Sequence, residues 1–386
     1  MPFLIALFLI LLLVITVTFF LKGVVNPVRL DPRSDPTLEA FEFHKELWIA
    51  DMHADSLLYR NDLLVRSKQG HIDLPRLIEG NVALQVFTCV SKFPINANIN
   101  QSSAGGDLVT PLAVLQGWPR PAWNSLFERA LFQAGKLQKT VGNSAGRLQI
   151  LRNQKDLLDF IAVRSRQSDR VAAILGLEGG HCLEGKIGNL ERLFNAGYRL
   201  MSPTHFFDNE LGGSLHGIEK QGLTPFGREV IRRMQELDMI IDLAHVSERM
   251  THEILDLVAR PVMLSHTGVR GICNNNRNLS DELILRIARN GGIIGIGFWD
   301  TATGSADVSG IVRSIRYTVD LAGVEHVGMG SDFDGFVRTP FDVSRISQLT
   351  GCLMAEGFSP EEIRAIMGEN FLRLLSSWLP KGGPPF

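Results

Sequence analysis

Short apolar runs alternate with helix-like segments along most of the chain. Between residues 239 and 278, two apolar runs end on His245 and His266, and the helix-like segment between them opens at Ser247, a favourable N-cap residue. A strand, a helix and a strand in this length are typical of a βαβ unit. Parallel strands buried on both faces consist of apolar residues, and α/β proteins place their sites just beyond such strands. The pattern therefore predicts a parallel sheet with two histidines at its carboxyl edge.

The same pattern recurs along the chain. Apolar runs begin at Leu47, Val82, Val171, Tyr198, Met239, Pro261, Ile293 and His326, and helix-like segments fill most of the gaps between them. Metal-binding residue types follow six of these eight runs, whereas a doubly wound sheet offers one switch point. We therefore predict an α/β fold, a (β/α)8 TIM-type barrel with insertions, the largest of which runs from about residue 92 to 170.

The first residues are apolar without interruption. Pro2 to Leu21 carries no charge and is about long enough to span a bilayer as a helix. It has neither the basic start nor the A-x-A site of a cleaved signal peptide, which favours an uncleaved N-terminal transmembrane helix before the barrel. We divide the chain into a transmembrane anchor (1–22), a linker rich in Pro and Asp (23–42), the barrel domain (43–380) and a short tail (381–386).

Composition narrows the function by exclusion. Basic and acidic residues nearly balance, 39 against 41, so nothing predicts a nucleic-acid partner. The four cysteines form no CxxC pair, which excludes a zinc ribbon, a CxxC redox motif and a dense disulfide framework. No glycine-rich phosphate-binding motif follows a strand, which argues against a dinucleotide or nucleoside-triphosphate enzyme.

Histidines and carboxylates gather after the predicted strands. His53 and Asp55 form an H-x-D pair, and residues i and i+2 of an extended segment point to the same side. Glu178 ends another strand, where an unpaired carboxylate is costly to bury. Each residue alone has a structural explanation, such as a hydrogen-bonded core histidine or a salt bridge. Five of the ten histidines follow strands, however, and imidazole together with carboxylate suits zinc.

These residues are sufficient for two ions. We predict that His53, Asp55 and Glu178 bind one Zn²⁺ and that Glu178, His245 and His266 bind the other, with Glu178 as the bridge. Such a pair leaves room for a shared water, lowers the pKa of that water and holds the attacked oxygen. Four other histidines lie in linker, loop or helix-like segments and are interpreted as surface residues: His44, His71, His216 and His252.

Several longer motifs resemble those of one family. In order, from about Leu47 to Trp378, the chain contains DMHAD, LEGGH, SPTH, GLTPFGREVIRRMQELDMIIDLAHVS, VMLSHTGVRGICNNNRNLSDE, GGIIGIGFW and GSDFDG. They resemble the motifs of the membrane dipeptidases, the renal-dipeptidase type of zinc metallopeptidase with an amidohydrolase-like barrel. Because several long motifs agree, the resemblance is specific, and it covers nearly the whole chain after the linker.

The resemblance implies the same two-zinc site and adds three roles at the substrate. His205, in SPTH, would polarise the scissile carbonyl or hold the oxyanion. Arg277, in NNNRN, would bind the free carboxylate of the substrate through a bidentate pair. Asp332, the first acid of SDFDG, would take the proton from the bridging water and pass it to the leaving amine. His205 and Asp332 are thus the expected catalytic residues, and all three are expected to bind substrate.

The resemblance also bears on assembly and location. The family suggests a homodimer, and its members hold the catalytic domain outside the cytoplasm. By the positive-inside rule, Lys22, Arg29 and Arg33 after the apolar span would favour the cytoplasm instead. We follow the family and expect a single-pass membrane protein whose catalytic domain lies outside the cytoplasm.

The sequence therefore predicts a membrane-anchored dizinc dipeptidase. It would hydrolyse dipeptides that carry a free C-terminal carboxylate, with a metal-bridging hydroxide as the nucleophile. Two alternatives stay open. One is another binuclear hydrolase of the same barrel, acting on an N-acyl amino acid, a lactone or a cyclic amide. The other is an inactive, membrane-tethered binding protein.

Overall fold

The computed structural model describes residues 21–305 and 307–382. Within these residues the strands form one sheet, and every pairing between its strands is parallel. In chain order the strands are β1 (Ile49–Asp51), β2 (Val82–Val90), β3 (Leu148–Ile150), β4 (Val171–Glu178), β5 (Tyr198–Ser202), β6 (Ile240–Ile241), β7 (Met263–Thr267), β8 (Ile293–Ile296) and β9 (Val327–Met329).

The sheet curls until its two ends meet. Its strands are ordered β6-β5-β4-β2-β1-β9-β8-β7, and β3 pairs with β4 beside this path. At the ends of the path, Asp242 forms a parallel bridge with Met263, and Leu243 N donates a hydrogen bond to Met263 O at 2.7 Å. All strand residues except Gln149 are buried. These features confirm an α/β fold whose parallel sheet curls in the manner of a TIM-like barrel.

Helices cover the outside of the sheet. Those that follow residue 30 are α1 (Leu38–Glu46), α2 (Leu74–Glu79), α3 (Val109–Leu115), α4 (Pro121–Asn124), α5 (Leu126–Asn143), α6 (Gln154–Arg164), α7 (Ile187–Asn195), α8 (Pro225–Glu236), α9 (Glu248–Leu257), α10 (Asp281–Arg289), α11 (Asp300–Thr303), α12 (Val308–Ala322), α13 (Ser347–Ala355), α14 (Pro360–Arg364) and α15 (Asn370–Trp378). The predicted N-cap is confirmed for α9, where the Ser247 side chain accepts from Met250 N.

Two local features differ from the sequence pattern. The stretch interpreted as an insertion contributes β3, which pairs with the first three residues of β4 and is too short to produce a recognisable apolar run. Near the C-terminus, where the apolar pattern does not indicate a break, a π-helical turn at Ala365–Glu369 separates α14 from α15. Gly368 in this turn lies against β1, because a Cβ there would be 1.9 Å from Trp48 O.

The predicted membrane localisation needs correction. Residues 1–20 of the expected anchor lie outside the described residues, and no helix within 21–305 or 307–382 is long and apolar enough to cross a membrane. An N-terminal membrane anchor is therefore not supported. Lys22, counted above among the basic residues that follow the apolar span, is 3% exposed, and its Nζ lies 2.8 Å from Asp334 Oδ2. Thus the first described residues pack onto the domain.

His44 is buried, although its position indicated a surface residue. Its Nδ1 lies 2.8 Å from Thr350 Oγ1 and its Nε2 lies 3.1 Å from Gly80 O, so that the ring joins α1 to α13 and to the end of α2. Burial lowers the pKa of His44 to about 4, although the hydrogen bond to the Gly80 carbonyl opposes this shift. The folded chain therefore holds a neutral imidazole here at neutral pH.

Replacing His44 with glutamine should make the protein less sensitive to acid. The unfolded chain, with the ordinary histidine pKa of 6.5, binds a proton here before the folded chain does as the pH falls. As the pH falls from 6.5 to 4, this preferential protonation of the unfolded chain lowers the free energy of unfolding by up to about 3 kcal/mol. The His44→Gln variant has no titrating group at this position, so this decrease should be absent from it. Urea unfolding at pH 7 and at pH 4.5 measures the difference. If the free energy of unfolding falls equally in the two proteins between pH 7 and pH 4.5, His44 is not a buried neutral residue.

Candidate active site

The strands bring the predicted residues to one edge of the sheet. They occupy its carboxyl ends as follows: His53 and Asp55 beyond β1, Glu178 at the end of β4, His205 beyond β5, His245 beyond β6, His266 within β7 and Asp332 beyond β9. Arg277 lies in the loop after β7. Each of these residues is at most 8% exposed. The sequence rule that polar residues after parallel strands converge therefore holds for all of them.

The carboxylate of Glu178 lies at the centre of this group. Its Oε1 is 3.0 Å from His245 Nε2 and 3.5 Å from both His53 Nε2 and His266 Nε2. Its Oε2 is 3.5 Å from His205 Nε2 and has no hydrogen-bond donor among the described residues. Four imidazoles thus surround one buried carboxylate, and one of its oxygens has an unused lone pair directed at the site.

The other donor atoms are equally close. His53 Nε2 lies 3.5 Å from Asp55 Oδ1 and 3.9 Å from Asp332 Oδ1, and His245 Nε2 lies 3.0 Å from His266 Nε2. Three buried sets have donor atoms within 4.8 Å of one another: His53, Glu178 and His266; Glu178, His205 and His245; and His53, Asp55 and Asp332. The structure therefore gathers all five predicted zinc ligands, and it adds His205 and Asp332 to the same cluster.

The crowded, buried carboxylates of the site favour the binding of a cation. Burial, and after it the charge of Asp55, raises the pKa of Glu178 well above its usual range. Burial also raises the pKa of Asp332 to about 8, although His53 opposes this shift. For His53, burial lowers the pKa, but Glu178 and Asp55 raise it to about 10. Carboxylates this crowded ionise fully only beside added positive charge, and the nitrogen and oxygen donors suit zinc, so the residues fit such an ion.

A histidine that the sequence pattern did not identify contacts one of the clustered histidines. His216, expected at the surface, is fully buried, and its Nε2 lies 3.0 Å from His245 Nδ1. Its own Nδ1 lies 3.0 Å from Ile99 O, and its ring stacks on Phe206 at 4.4 Å. His216 therefore fixes the orientation and tautomer of His245. It does not follow a strand, so it could not be identified from the pattern of polar residues that follow apolar runs.

Two hydroxyl groups orient further members of the cluster. Thr88 Oγ1, within β2, donates to Asp55 Oδ1 at 2.6 Å. Ser265 Oγ, within β7, lies 2.8 Å from His266 Nδ1 and 3.3 Å from His53 Nδ1. Such contacts hold ligand side chains in place before an ion binds. No metal-binding residue type follows β2 in the sequence. This strand contributes to the site through Thr88, which lies within the strand.

Arg277 is a buried cation beside the cluster. Its Nη2 donates to His266 O at 2.8 Å and its Nη1 to Thr267 Oγ1 at 3.3 Å, while its guanidinium lies 5.5 Å from the centre of the Trp299 ring. None of these partners is charged, and within the described part of the chain Arg277 forms no ion pair. A buried guanidinium without a counter-ion is suited to an anionic ligand.

A cavity of about 560 Å³ opens onto these groups. The cluster side of its lining carries Asp55, Glu178, His205, His245, Arg277 and Asp332, and Asn98, Asp300, Thr301 and Arg338 add further polar groups. Apolar side chains also line it, among them Val25, Phe93, Leu112, Phe206, Trp299 and Phe336. The volume is in the range of small-molecule sites, which combine apolar walls with a few converging polar groups.

The chain matches one family over most of its length. The sequence model of "Membrane dipeptidase (Peptidase family M19)" matches residues 38–378. A Schizosaccharomyces pombe protein described as an uncharacterized dipeptidase is 29% identical over 318 residues, which are 79% of this chain and 71% of that protein. These matches confirm the resemblance inferred from the motifs.

Solved structures of the family share the fold. The crystal structure of dipeptidase AC, described as a metallopeptidase of family M19, has a TM-score of 0.70 at 22% identity and covers 87% of this chain and 99% of its own. A metallopeptidase from Rhodobacter sphaeroides, solved with a phosphinate mimic of the dipeptide L-Ala-D-Ala, has a TM-score of 0.68 at 22% identity and covers 86% and 99%. At these identities the likeness establishes the architecture.

Replacing His216 with phenylalanine should weaken metal binding. The substitution keeps an aromatic ring against Phe206 but removes the hydrogen bond to His245 Nδ1, and loss of such a contact lowers metal affinity about 10–100-fold. Competition with a chromophoric chelator measures the affinity of each protein for zinc. His252→Phe, at a partly exposed histidine, is the control. Equal affinities in both variants would show that His216 does not orient a ligand.

Proposed function

The chain belongs to the membrane dipeptidase family, peptidase family M19, and on that premise we propose that it hydrolyses dipeptides that carry a free C-terminal carboxylate. The observation that carries the proposal is Arg277, a buried cation without an ion-pair partner among the described residues, in the same cavity as Glu178 and Asp332. Burial of an unpaired charge is costly, and a substrate carboxylate removes that cost through a bidentate pair.

We propose further that the cluster holds two zinc ions. In this assignment His53, Asp55 and Glu178 bind one ion, and Glu178, His245 and His266 bind the other. The short contacts of Glu178 Oε1 with a histidine from each set support a bridging position for this carboxylate. The chemistry that such ions supply when bound is the activation of a water molecule and the polarisation of a carbonyl.

Asp332 is the proposed general base and general acid. It lines the cavity next to the proposed metal ligands, and its Oδ1 lies 3.9 Å from His53 Nε2. A buried carboxylate at this position is placed to accept a proton and to return it. Asp332 would take a proton from the attacking water and deliver it to the nitrogen of the departing amino acid.

His205 is the proposed partner of the developing oxyanion. Its ring lines the cavity with Nε2 at 3.5 Å from Glu178 Oε2. Burial lowers the pKa of His205 well below its usual range, and the ring is therefore neutral. A neutral imidazole already in place donates a hydrogen bond to an oxyanion without prior rearrangement, and such donors stabilise the transition state strongly.

The position of Arg277 explains a preference for dipeptides. Its guanidinium donates to the main-chain oxygen of His266, so the carboxylate-binding group and a proposed metal ligand share one short segment. A substrate whose carboxylate binds Arg277 therefore presents its last peptide bond to the cluster. Apolar side chains line much of the cavity beyond the cluster, where the side chains of a dipeptide would lie. The predicted homodimer stays a prediction.

Arg277→Met should abolish the preference for a free carboxylate. Truncating one partner of a buried charge pair costs about 2–5 kcal/mol, or about 30- to 5000-fold in kcat/KM for a free dipeptide, while an amidated dipeptide should be a poor substrate of both proteins. The assay compares the two substrates in the zinc-loaded protein, before and after chelation. Arg270→Met, in the same loop with its ion pair to Glu248, is the control.

Three outcomes of this assay decide between the proposals. Wild-type cleavage of the free dipeptide, lost on chelation and restored by zinc, supports the metallodipeptidase. Equal cleavage of free and amidated dipeptides would refute the role of Arg277. If the protein binds zinc but cuts neither substrate, a hydrolase of N-acyl amino acids, lactones or cyclic amides takes precedence.

A further inference from the structure

The first described residues contact the loop that carries Asp332. Residues 21–25 are helical, and the chain then extends beside residues 336–339. Val28 forms a parallel bridge with Thr339, Arg29 N donates to Thr339 O at 2.8 Å, and Thr339 N donates to Pro27 O at 3.3 Å. We call residues 22–29 the 22–29 segment. It belongs to a stretch that the sequence indicated to be an anchor and a linker, yet it is attached to the domain along its length.

Lys22 begins this attachment with a buried ion pair. Its Nζ lies 2.8 Å from Asp334 Oδ2 and 3.2 Å from Ile72 O, and the two paired side chains are 4% and 0% exposed. His71 was predicted to lie at the surface, but it is fully buried, and its Nδ1 accepts from Asp334 N. Burial lowers its pKa to about 4, so it is no second cation. Without Lys22 the charge of Asp334 would be buried with neutral hydrogen-bond donors only.

The fold keeps space for this lysine. Gly70 has a φ of +66°, and a Cβ at this position would lie 2.1 Å from Lys22 Cε and 2.5 Å from Asp334 Oδ1. Any side chain at residue 70 would therefore displace the pair. Together with the burial of both charges, this shows that the Lys22–Asp334 contact is built into the domain.

The paired loop has an unusual backbone. Asp332, Asp334 and Phe336 have φ values of 59°, 65° and 63°, the left-handed region that residues with side chains seldom adopt. Such a conformation persists only where surrounding contacts hold it. The 22–29 segment supplies two of these contacts, since Lys22 binds Asp334 and Asn26 Oδ1 accepts from Phe336 N at 2.8 Å.

A tyrosine completes the connection. Asn26 Nδ2 donates to Tyr59 Oη at 2.8 Å, and Tyr59 Oη donates to Asp334 O at 2.9 Å. The segment and Tyr59 thus hold the loop at Asp334 and Phe336, two and four residues beyond Asp332. Contacts made by the 22–29 segment therefore act on the part of the loop that follows Asp332.

The same segment forms part of the cavity wall. Val24, Val25 and Pro27 line the cavity that contains Arg277 and Asp332. Val24 is 74% exposed, so its side chain is accessible to a ligand in the cavity. The rings of Phe93 and Phe336, stacked with their centres 5.8 Å apart, line the same cavity. A substrate side chain in this part of the cavity would meet apolar atoms.

We propose that the 22–29 segment is a working part of the active site. Lys22 is a positioning residue that acts through Asp334 on Asp332, and Val24 is a specificity residue whose wall favours dipeptides with large apolar side chains. This inference rests on the proposed dipeptidase function. It goes beyond that function by assigning roles to residues that contact neither the reacting bond nor the cluster.

The positioning role is tested with Lys22→Met in the full chain. We expect kcat per bound zinc to fall at least ~10-fold, because small displacements of a catalytic group have large effects on rate, with KM for Ala-Ala and zinc content little changed. Lys45→Met, at an exposed ion pair with Glu42, is the control. An unchanged kcat in Lys22→Met would overturn the positioning role.

A paired variant separates positioning from stability. Lys22→Met combined with Asp334→Asn buries no unpaired charge, so its melting temperature should recover even if the single variant folds poorly. If Lys22 positions the loop, kcat stays low in this stable protein. Recovery of kcat together with the melting temperature would mean that Lys22 only neutralises a buried charge, and the positioning role would be wrong.

The specificity role is tested with Val24→Ser. We expect KM for Leu-Leu to rise about fourfold relative to KM for Ala-Ala, with kcat unchanged. Val65→Ser is the matched control, since Val65 is 60% exposed and does not line the cavity. An unchanged ratio of the two KM values would overturn the proposed wall. A wild-type protein that cleaves neither dipeptide would overturn the proposed function itself, whereas an active wild type with unaltered variants overturns only this inference.

Discussion

The charge of Glu178 is buried, with only 3% of the residue exposed, and the organisation of the site depends on how that charge is satisfied. Its two oxygens lie 3.0–3.5 Å from imidazole nitrogens contributed by four different strand ends. Asp55 and Asp332 add two further carboxylates, each of which makes ionisation of its neighbours harder. Protonation would relieve this repulsion but would remove the ligands. A divalent cation relieves it and keeps them, which is why the arrangement suits a metal centre.

Such a centre requires donors that are already in place, and buried aspartates outside the cluster provide this order. Asp51 Oδ1 accepts from Ser331 N at 2.8 Å, which fixes the loop of Asp332 to β1. Asp242 Oδ1 accepts from Ala244 N and Ser265 N, which fixes the turn before His245 to β7. His245 and Asp332 can therefore keep left-handed backbone conformations that neither would adopt in a free loop. The active-site loops are thus held by the same type of buried carboxylate that the cluster itself contains.

Eight of the nine strands and the residues at their ends could be predicted from the sequence, because strands buried on both faces leave apolar runs and the first polar residues beyond these runs indicate the site. His216 and Lys22 escaped this rule, since their roles depend on contacts with residues distant in the chain, His245 and Asp334. A basic residue after an apolar run has the same appearance whether it faces a membrane or neutralises a buried carboxylate. For Lys22 only the tertiary structure distinguishes the two cases. The π-helical turn that contains Gly368 likewise accompanies a close approach of this residue to β1, which helix propensity cannot predict.

Anomalous X-ray diffraction at the zinc absorption edge, from crystals of the zinc-loaded protein, tests the central claim most directly. The proposed centre predicts two anomalous peaks per chain, each within ~2.0–2.2 Å of a carboxylate oxygen of Glu178. One should also contact His53 and Asp55, and the other His245 and His266. A single peak would contradict the two-ion assignment. Peaks that leave Glu178 without a ligand role would contradict the account of the site as a whole.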